Sequence, residues 1–157
     1  EFANKGGYVF GVCNGFQILC ESGLVEGTLQ HNNNQKFVCK NVHLRTETSD
    51  SLVTRSIDKG AVLNVPIAHG EGKFFAPSDV LKGIEDNDQV LFRYCDENGQ
   101  ITDDANPNGS INNIAGICNS NRNVFGMMPH PERAADPNLK NEDGKKLFES
   151  ILNEVLV

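Results

Sequence analysis

Cys13 carries a glycine two positions to either side, in Gly11-Val12-Cys13-Asn14-Gly15, directly after the apolar run Tyr8-Val9-Phe10. A nucleophile on a sharp strand-to-helix turn asks for this setting, because the G-x-nucleophile-x-G elbow lets neighbouring backbone pass without Cβ contacts. A helix N-terminus at that turn favours negative charge and so lowers a thiol pKa. It also supplies one oxyanion donor, the backbone N–H of Asn14. Taken alone, the five residues fit a buried packing cysteine equally well.

A thiol nucleophile needs a base and a group that orients the base. Met128-Pro129-His130-Pro131-Glu132-Arg133 offers both. Residues that precede proline are held out of the helical region, and residues i and i+2 of an extended chain point to the same side. His130 and Glu132 are therefore expected to project together; by itself the pair also reads as a solvated loop contact. Cys13, His130 and Glu132 as a set predict acyl transfer through a thioester.

Of the other histidines, His69 lies in Pro66-Ile67-Ala68-His69-Gly70-Glu71-Gly72, a strand end that runs into a glycine-rich loop. Such a loop can present backbone groups to a small polar ligand, or be a plain surface turn. His31 and His43 have no partner pattern and read as structural or solvent-facing. Cys20, Cys39, Cys95 and Cys118 lack flanking glycines and read as small core residues.

The elements that must position these residues can be read from pattern. Strands are expected at 8–12, 36–44, 61–67, 89–94, 111–117 and 123–128. The first and last are nearly continuous apolar runs, as expected of strands buried on both faces. Helices are expected at 14–22, closing at Gly23, at 145–156 with Leu147, Phe148, Ile151, Leu152 and Val155 on one stripe, and after Pro77-Ser78-Asp79 with Val80, Leu81 and Ile84 inward. Glu1 to Gly7 reads as a helix end with a glycine cap. If strands 8–12 and 123–128 are parallel neighbours, Cys13 and His130 meet at the C-terminal sheet edge, where ligands bind in open α/β sheets.

Bulk properties narrow the classes further. The chain has 157 residues, 38% hydrophobic and 22% charged, consistent with one globular domain over 1–157 that has a real core. Its formal charge of −7 argues against a general nucleic-acid-binding face. No apolar run approaches the roughly 20 residues of a membrane span. Five cysteines without a CxxC pair argue against a disulfide framework or a structural zinc site, and suit a reducing cytoplasm.

Read together, GVCNGFQIL, PIAHGEG, NPNGS, NIAGICN and FGMMPHPERA resemble the class I (triad) glutamine amidotransferases, in particular the glutaminase subunits that serve purine biosynthesis. The resemblance runs from about Lys5 to about Ala135. It implies an α/β fold, with a mostly parallel, open, flavodoxin-like sheet flanked by helices. It implies that Cys13 attacks the side-chain amide of glutamine, that His130 is base and acid, and that Glu132 orients it. Glutamate and ammonia would leave through a γ-glutamyl thioester. Gln17 matches a position near bound glutamine, and Ala68, His69, Gly70 and Glu71 match a segment whose backbone holds the amino-acid end of the substrate. The ammonia would pass to a synthetase subunit that converts formylglycinamide ribonucleotide to its amidine, with a small bridging subunit between them. ATP and Mg²⁺ would sit on that synthetase, and no metal or cofactor on this chain.

The family has roughly a further third of a domain ahead of the matched segment, including early strands and a glycine-rich loop with the second oxyanion donor. The expectation is therefore a chain that is N-terminally incomplete. Two other functions stay open on sequence: a related γ-glutamyl hydrolase or cysteine peptidase, and a catalytically silent module that keeps only a docking surface.

Overall fold

The computed structural model describes residues 1–155, with side chains through Asn153. Eight strands and three α-helices follow in order: β1 (Val9–Val12), α1 (Asn14–Glu21), β2 (Thr28–Gln30), β3 (Val38–Thr46), β4 (Val62–His69), β5 (Lys73–Phe75), α2 (Ser78–Asp86), β6 (Val90–Cys95), β7 (Ile114–Cys118), β8 (Val124–Met127) and α3 (Lys145–Val155). A six-stranded sheet has the order β1-β8-β7-β6-β3-β4, while β2 and β5 pair by themselves. Helices cover both faces. Phe16 and Leu19 of α1 and Ile84 of α2 enter one core with Phe74, Ile114 and Val124. Leu147 of α3 and the Leu52–Ile57 segment close the other, over Leu44, Leu63, Phe92 and Met127.

The alternation of β8 serves both cores at once. Val124 faces the first, Phe125 and Met127 face the second, and all are buried. Gly126 lies against the Phe16 ring, where a Cβ would come within 2.1 Å of it. β3 resolves to one parity: Val42, Leu44 and Thr46 are buried, whereas Phe37 and Cys39 are exposed. Cys39 is therefore a surface residue, not the core residue its type suggested. Arg93 pairs with Glu47 and Glu85, and Arg45 with Glu47, which ties α2 to strands β3 and β6.

The α/β class and the flanking helices match expectation; the sheet itself is mixed and curled. Among the described strands only β1 and β8 are parallel, and the other neighbours are antiparallel. For β7 and β8 the connection dictates this, since a parallel pair needs a crossover of a dozen or more residues and residues 119–123 are too few. Between β7 and β8 the chain makes a tight hairpin, in which Asn119 N–H donates to Val124 O and the Asn119 side chain accepts from Asn123 and Val124. The curl brings the far strand β4 round to the segment after β8, where His130 N–H donates to Pro66 O at 2.8 Å.

Four local expectations also change. β1 pairs with β8 alone among the described strands, so Val9, Phe10 and Val12 are only half-buried and Tyr8 is 58% exposed. Residues Ile111–Asn113 form a 3₁₀ turn with Asn112 and Asn113 at positive φ, a region asparagine tolerates, and β7 starts only at Ile114. On α3, Leu147 is buried but Leu152 is exposed; the side chain of Val155 and the whole of Leu156 fall outside the described residues. Strands β2 and β5 escaped notice because three residues carry no readable period.

Candidate active site

Strand β1 ends and helix α1 begins at Cys13. Its N–H donates to Met127 O at 2.8 Å, so the parallel ladder with β8 continues up to the cysteine itself. Cys13 then turns at φ 53°, ψ −109°, a conformation that costs a non-glycine residue about 1–3 kcal/mol. Its carbonyl accepts from Phe16 and Gln17, which starts the helix. The two glycines serve differently. A Cβ on Gly11 would stand 2.7 Å from the Gly15 carbonyl and 2.6 Å from Leu19, whereas a Cβ on Gly15 would meet nothing. Gly11 permits the close strand–helix crossing, and Gly15 is the backbone it crosses.

His130 and Glu132 come together by a different route from the extended one expected. Pro131–Ala134 is a 3₁₀ turn with His130 as its N-cap residue. Proline fits the first position of such a turn, where φ is already set and no N–H is needed. The His130 Nδ1 to Glu132 Oε1 distance is 2.6 Å. A carboxylate only accepts, so Nδ1 carries the proton and Nε2 of a neutral ring presents its lone pair. That Nε2 is buried and has no hydrogen-bond partner. Glu132 is itself 48% exposed and also lies 3.5 Å from Arg133 Nε.

The end of β4 closes the site. Cys13 Sγ donates to Ala68 O at 3.8 Å, and Gln17 Nε2 donates to Glu71 O at 3.0 Å. Cys13, Gln17, Phe37, Ala68, His69, Gly70 and Glu71 line one cavity of about 340 Å³. Every residue of the expected substrate set therefore shares a cavity with the thiol. His130 is not in that lining. Glu132 and Arg133 act electrostatically on Cys13, and His130 acts on His69. His31, read from sequence as partnerless, has its Nε2 3.4 Å from Glu71 Oε1, and His43 Nε2 meets Asn64 Nδ2 at 3.1 Å.

The thiol is not preactivated as its helix position suggested. Burial raises the Cys13 pKa and outweighs the lowering by the Asn14 backbone N–H and by Arg133, while Glu132 raises it further. A proton acceptor must therefore take the thiol proton, and the unpartnered lone pair of His130 is of the right kind. Cys20, pushed by burial to about 12, and Cys95 and Cys118, pushed to about 11, are inert thiols by comparison.

Sequence reasoning missed Asn32 and Phe37. Phe37 stands 68% exposed at the cavity, and Asn32 is fully buried beneath the His69–Gly72 loop. In HNNNQ it looks like surface, and nothing local marks it. A larger cleft of about 500 Å³ opens at residues 106–113, lined mostly by asparagines with Asp103 and Ser110, and contains no cysteine or histidine. Among the described residues no cluster of histidine, cysteine or carboxylate side chains could hold a metal, and no helix is long and apolar enough to cross a membrane.

An α/β sheet that ends one strand in a strained cysteine elbow, with a histidine–carboxylate pair following the neighbouring parallel strand, defines a class of cysteine-dependent acyl-transfer domains. Within that class the family is specific. Residues 1–151 match the model of the CobB/CobQ-like glutamine amidotransferase domain, and the chain belongs to that family, in its PurQ branch. It is 53% identical over 154 residues to the phosphoribosylformylglycinamidine synthase subunit PurQ of Aquifex aeolicus, covering 98% of this chain and 68% of that one. It is 51% identical over 157 residues to the same subunit of Salinibacter ruber, covering all of this chain and 67% of that one. Among solved structures, a chain in the structure of PurLQS from Thermotoga maritima superposes with a TM-score of 0.84 at 42% identity, covering 98% of this chain and 65% of the other. The chain thus spans about two thirds of the length of the relatives it matches.

Proposed function

We propose that the chain is the glutamine-hydrolysing part of a phosphoribosylformylglycinamidine synthase. The observation that carries the reading is the elbow: Cys13 tied by its own N–H to β8, the strand that leads to the His130–Glu132 pair. The His130 lone pair takes the thiol proton as Sγ attacks the side-chain carbonyl carbon of glutamine, and the Asn14 N–H stabilises the oxyanion. The imidazolium returns that proton to the leaving nitrogen, and ammonia departs from the γ-glutamyl thioester. Water, deprotonated by His130, then attacks the thioester, glutamate leaves, and the thiol is restored. Glu132 holds the imidazole in the tautomer these steps need. Gln17 and the Ala68–Glu71 backbone seat the substrate.

In this reading ammonia passes to a synthetase partner joined through a small bridging subunit. ATP and Mg²⁺ are used on that partner for the conversion of formylglycinamide ribonucleotide to its amidine, and this chain needs no cofactor. The names of the relatives support the assignment, and a cytoplasmic place suits it. The test is intact-mass spectrometry after exposure to a glutamine-mimicking diazoketone, with and without the partner subunits. One adduct is expected, absent in Cys13→Ala. A folded chain that forms no adduct even in the complex would favour a silent docking module, and cleavage of γ-glutamyl peptides in place of glutamine would favour a hydrolase.

A further inference from the structure

Asn32 is fully buried and uses its whole carboxamide to tie its own segment to the His69–Gly72 loop. Its Nδ2 donates to Lys36 O at 2.8 Å and to His69 O at 2.9 Å, and its backbone N–H donates to Gly70 O at 2.9 Å. Its Oδ1 lies 3.1 Å from His69 Nδ1 and accepts from Gly72 N–H, also at 3.1 Å. Two carbonyl partners fix which end of the amide is nitrogen, because a carbonyl can only accept. The end that faces His69 is therefore oxygen, and His69 Nδ1 must carry the proton. Its Nε2 is then a bare lone pair, and that atom is buried with no hydrogen-bond partner.

An acceptor buried without a donor is costly unless a ligand brings the donor. His69 lines the cavity that holds Cys13, and the ring is wedged in place, since a Cβ on Gly72 would come within 2.3 Å of it. Resting on the glutaminase reading above, we propose that Asn32 is a positioning residue: it holds His69 in the Nδ1–H tautomer, so that Nε2 accepts a hydrogen bond from an N–H donor of bound glutamine, its α-ammonium or its carboxamide. The amide at position 32 matters by its neutrality. A carboxylate there would draw a proton onto His69, cancel the acceptor and set a positive charge beside His130, which must itself become an imidazolium. As the ring stands, burial and the nearby His130 depress its pKa to about 4, so it stays neutral in the working range. The other titratable groups that share its cavity are Cys13 and Glu71, and Glu71 is engaged by His31.

The test pairs one variant with one measurement on the unaltered protein, both in the assembled complex. For Asn32→Asp, kcat/KM for glutamine should fall about tenfold or more, chiefly through KM, as expected for one lost hydrogen bond to a charged group. A new ionisation should enter between pH 5 and 8, with activity lost on its acid side, because pairing with a carboxylate raises the His69 pKa. A merely structural role lowers the melting temperature and leaves the pH profile in place, which would overturn the proposal. With this chain alone ¹⁵N-labelled at histidine, His69 should show a protonated Nδ1, no titration above pH 5, and a shifted Nε2 signal when glutamine binds. This holds whether or not the variant folds. A titrating His69, or the opposite tautomer, in a complex whose Cys13 is still labelled by the diazoketone overturns the Asn32 proposal alone. Absence of that labelling overturns the glutaminase reading and the substrate contact with it.

Discussion

Glu132 meets the His130 ring from a half-exposed position, with Arg133 competing for the same carboxylate oxygen. Its contribution to the fold is correspondingly small, and in the proposed reaction its part is to set the tautomer of His130. Glu132→Gln is expected to lower kcat by about 10²–10⁴ while leaving the melting temperature nearly unchanged, because an amide can turn its nitrogen to the ring and reverse the tautomer. Glutaminase assays of the complex beside thermal melts of the chain check both halves. At this scale the sequence is legible where function is written locally. The Cys13 elbow announces itself by its glycines, and the contact of His130 with Glu132 by their closeness in sequence, though a 3₁₀ turn makes it and not the extended chain expected. Asn32 does not, because its meaning comes from His69, 37 positions away, and from backbone carbonyls that have no sequence signature.

Elements were legible where one face is apolar and the run is long. Helix α2 places Ile84 fully in the core with Val80 and Leu81 packed beside it, as its spacing predicts. Exposed Leu152 on α3 shows the limit: the stripe marks a possible buried face, but the neighbour decides how wide it is. Pairing direction was the larger miss: β1 and β8 are parallel neighbours as expected, but the rest of a sheet expected to be mostly parallel is antiparallel, because apolar runs say that strands exist and not which way they pair. The crossing of β1 and α1 makes a sharp prediction. In Gly11→Ala the new methyl meets the Gly15 backbone, which cannot swing away as a side chain could. A loss of about 1–3 kcal/mol in urea unfolding is expected, the usual cost of overpacking. Diazoketone labelling of Cys13 should fall with it, since the elbow must open to admit the methyl. Unchanged labelling at reduced stability would show that the elbow is looser than its geometry indicates.

Across the whole molecule, the site is assembled from the two ends of one sheet. Cys13 stands just past β1, at one end of the strand order, and Ala68 and His69 on β4, at the other; the curl alone makes them neighbours. At the thiol the closure rests on the Cys13–Ala68 and Gln17–Glu71 contacts, and local opening of a structure generally costs less than global unfolding. Cys13 labelling is therefore expected to disappear at a lower urea concentration than the loss of sheet seen by circular dichroism. Coincident transitions would show that the curl is as stable as the core.

Pro66 gives the closure a second meaning. It sits on β4, an edge strand, opposite Asn41 of β3, and turns its carbonyl away from β3 to His130. A proline has no N–H, so at this point the outer edge of β4 has nothing to offer an intruding strand except an acceptor that is already taken. Replacing it with alanine would keep the bond to His130 and restore a donor to the rim of the sheet. The residue that docks the histidine thereby also leaves the rim of the sheet one donor fewer with which to recruit another strand.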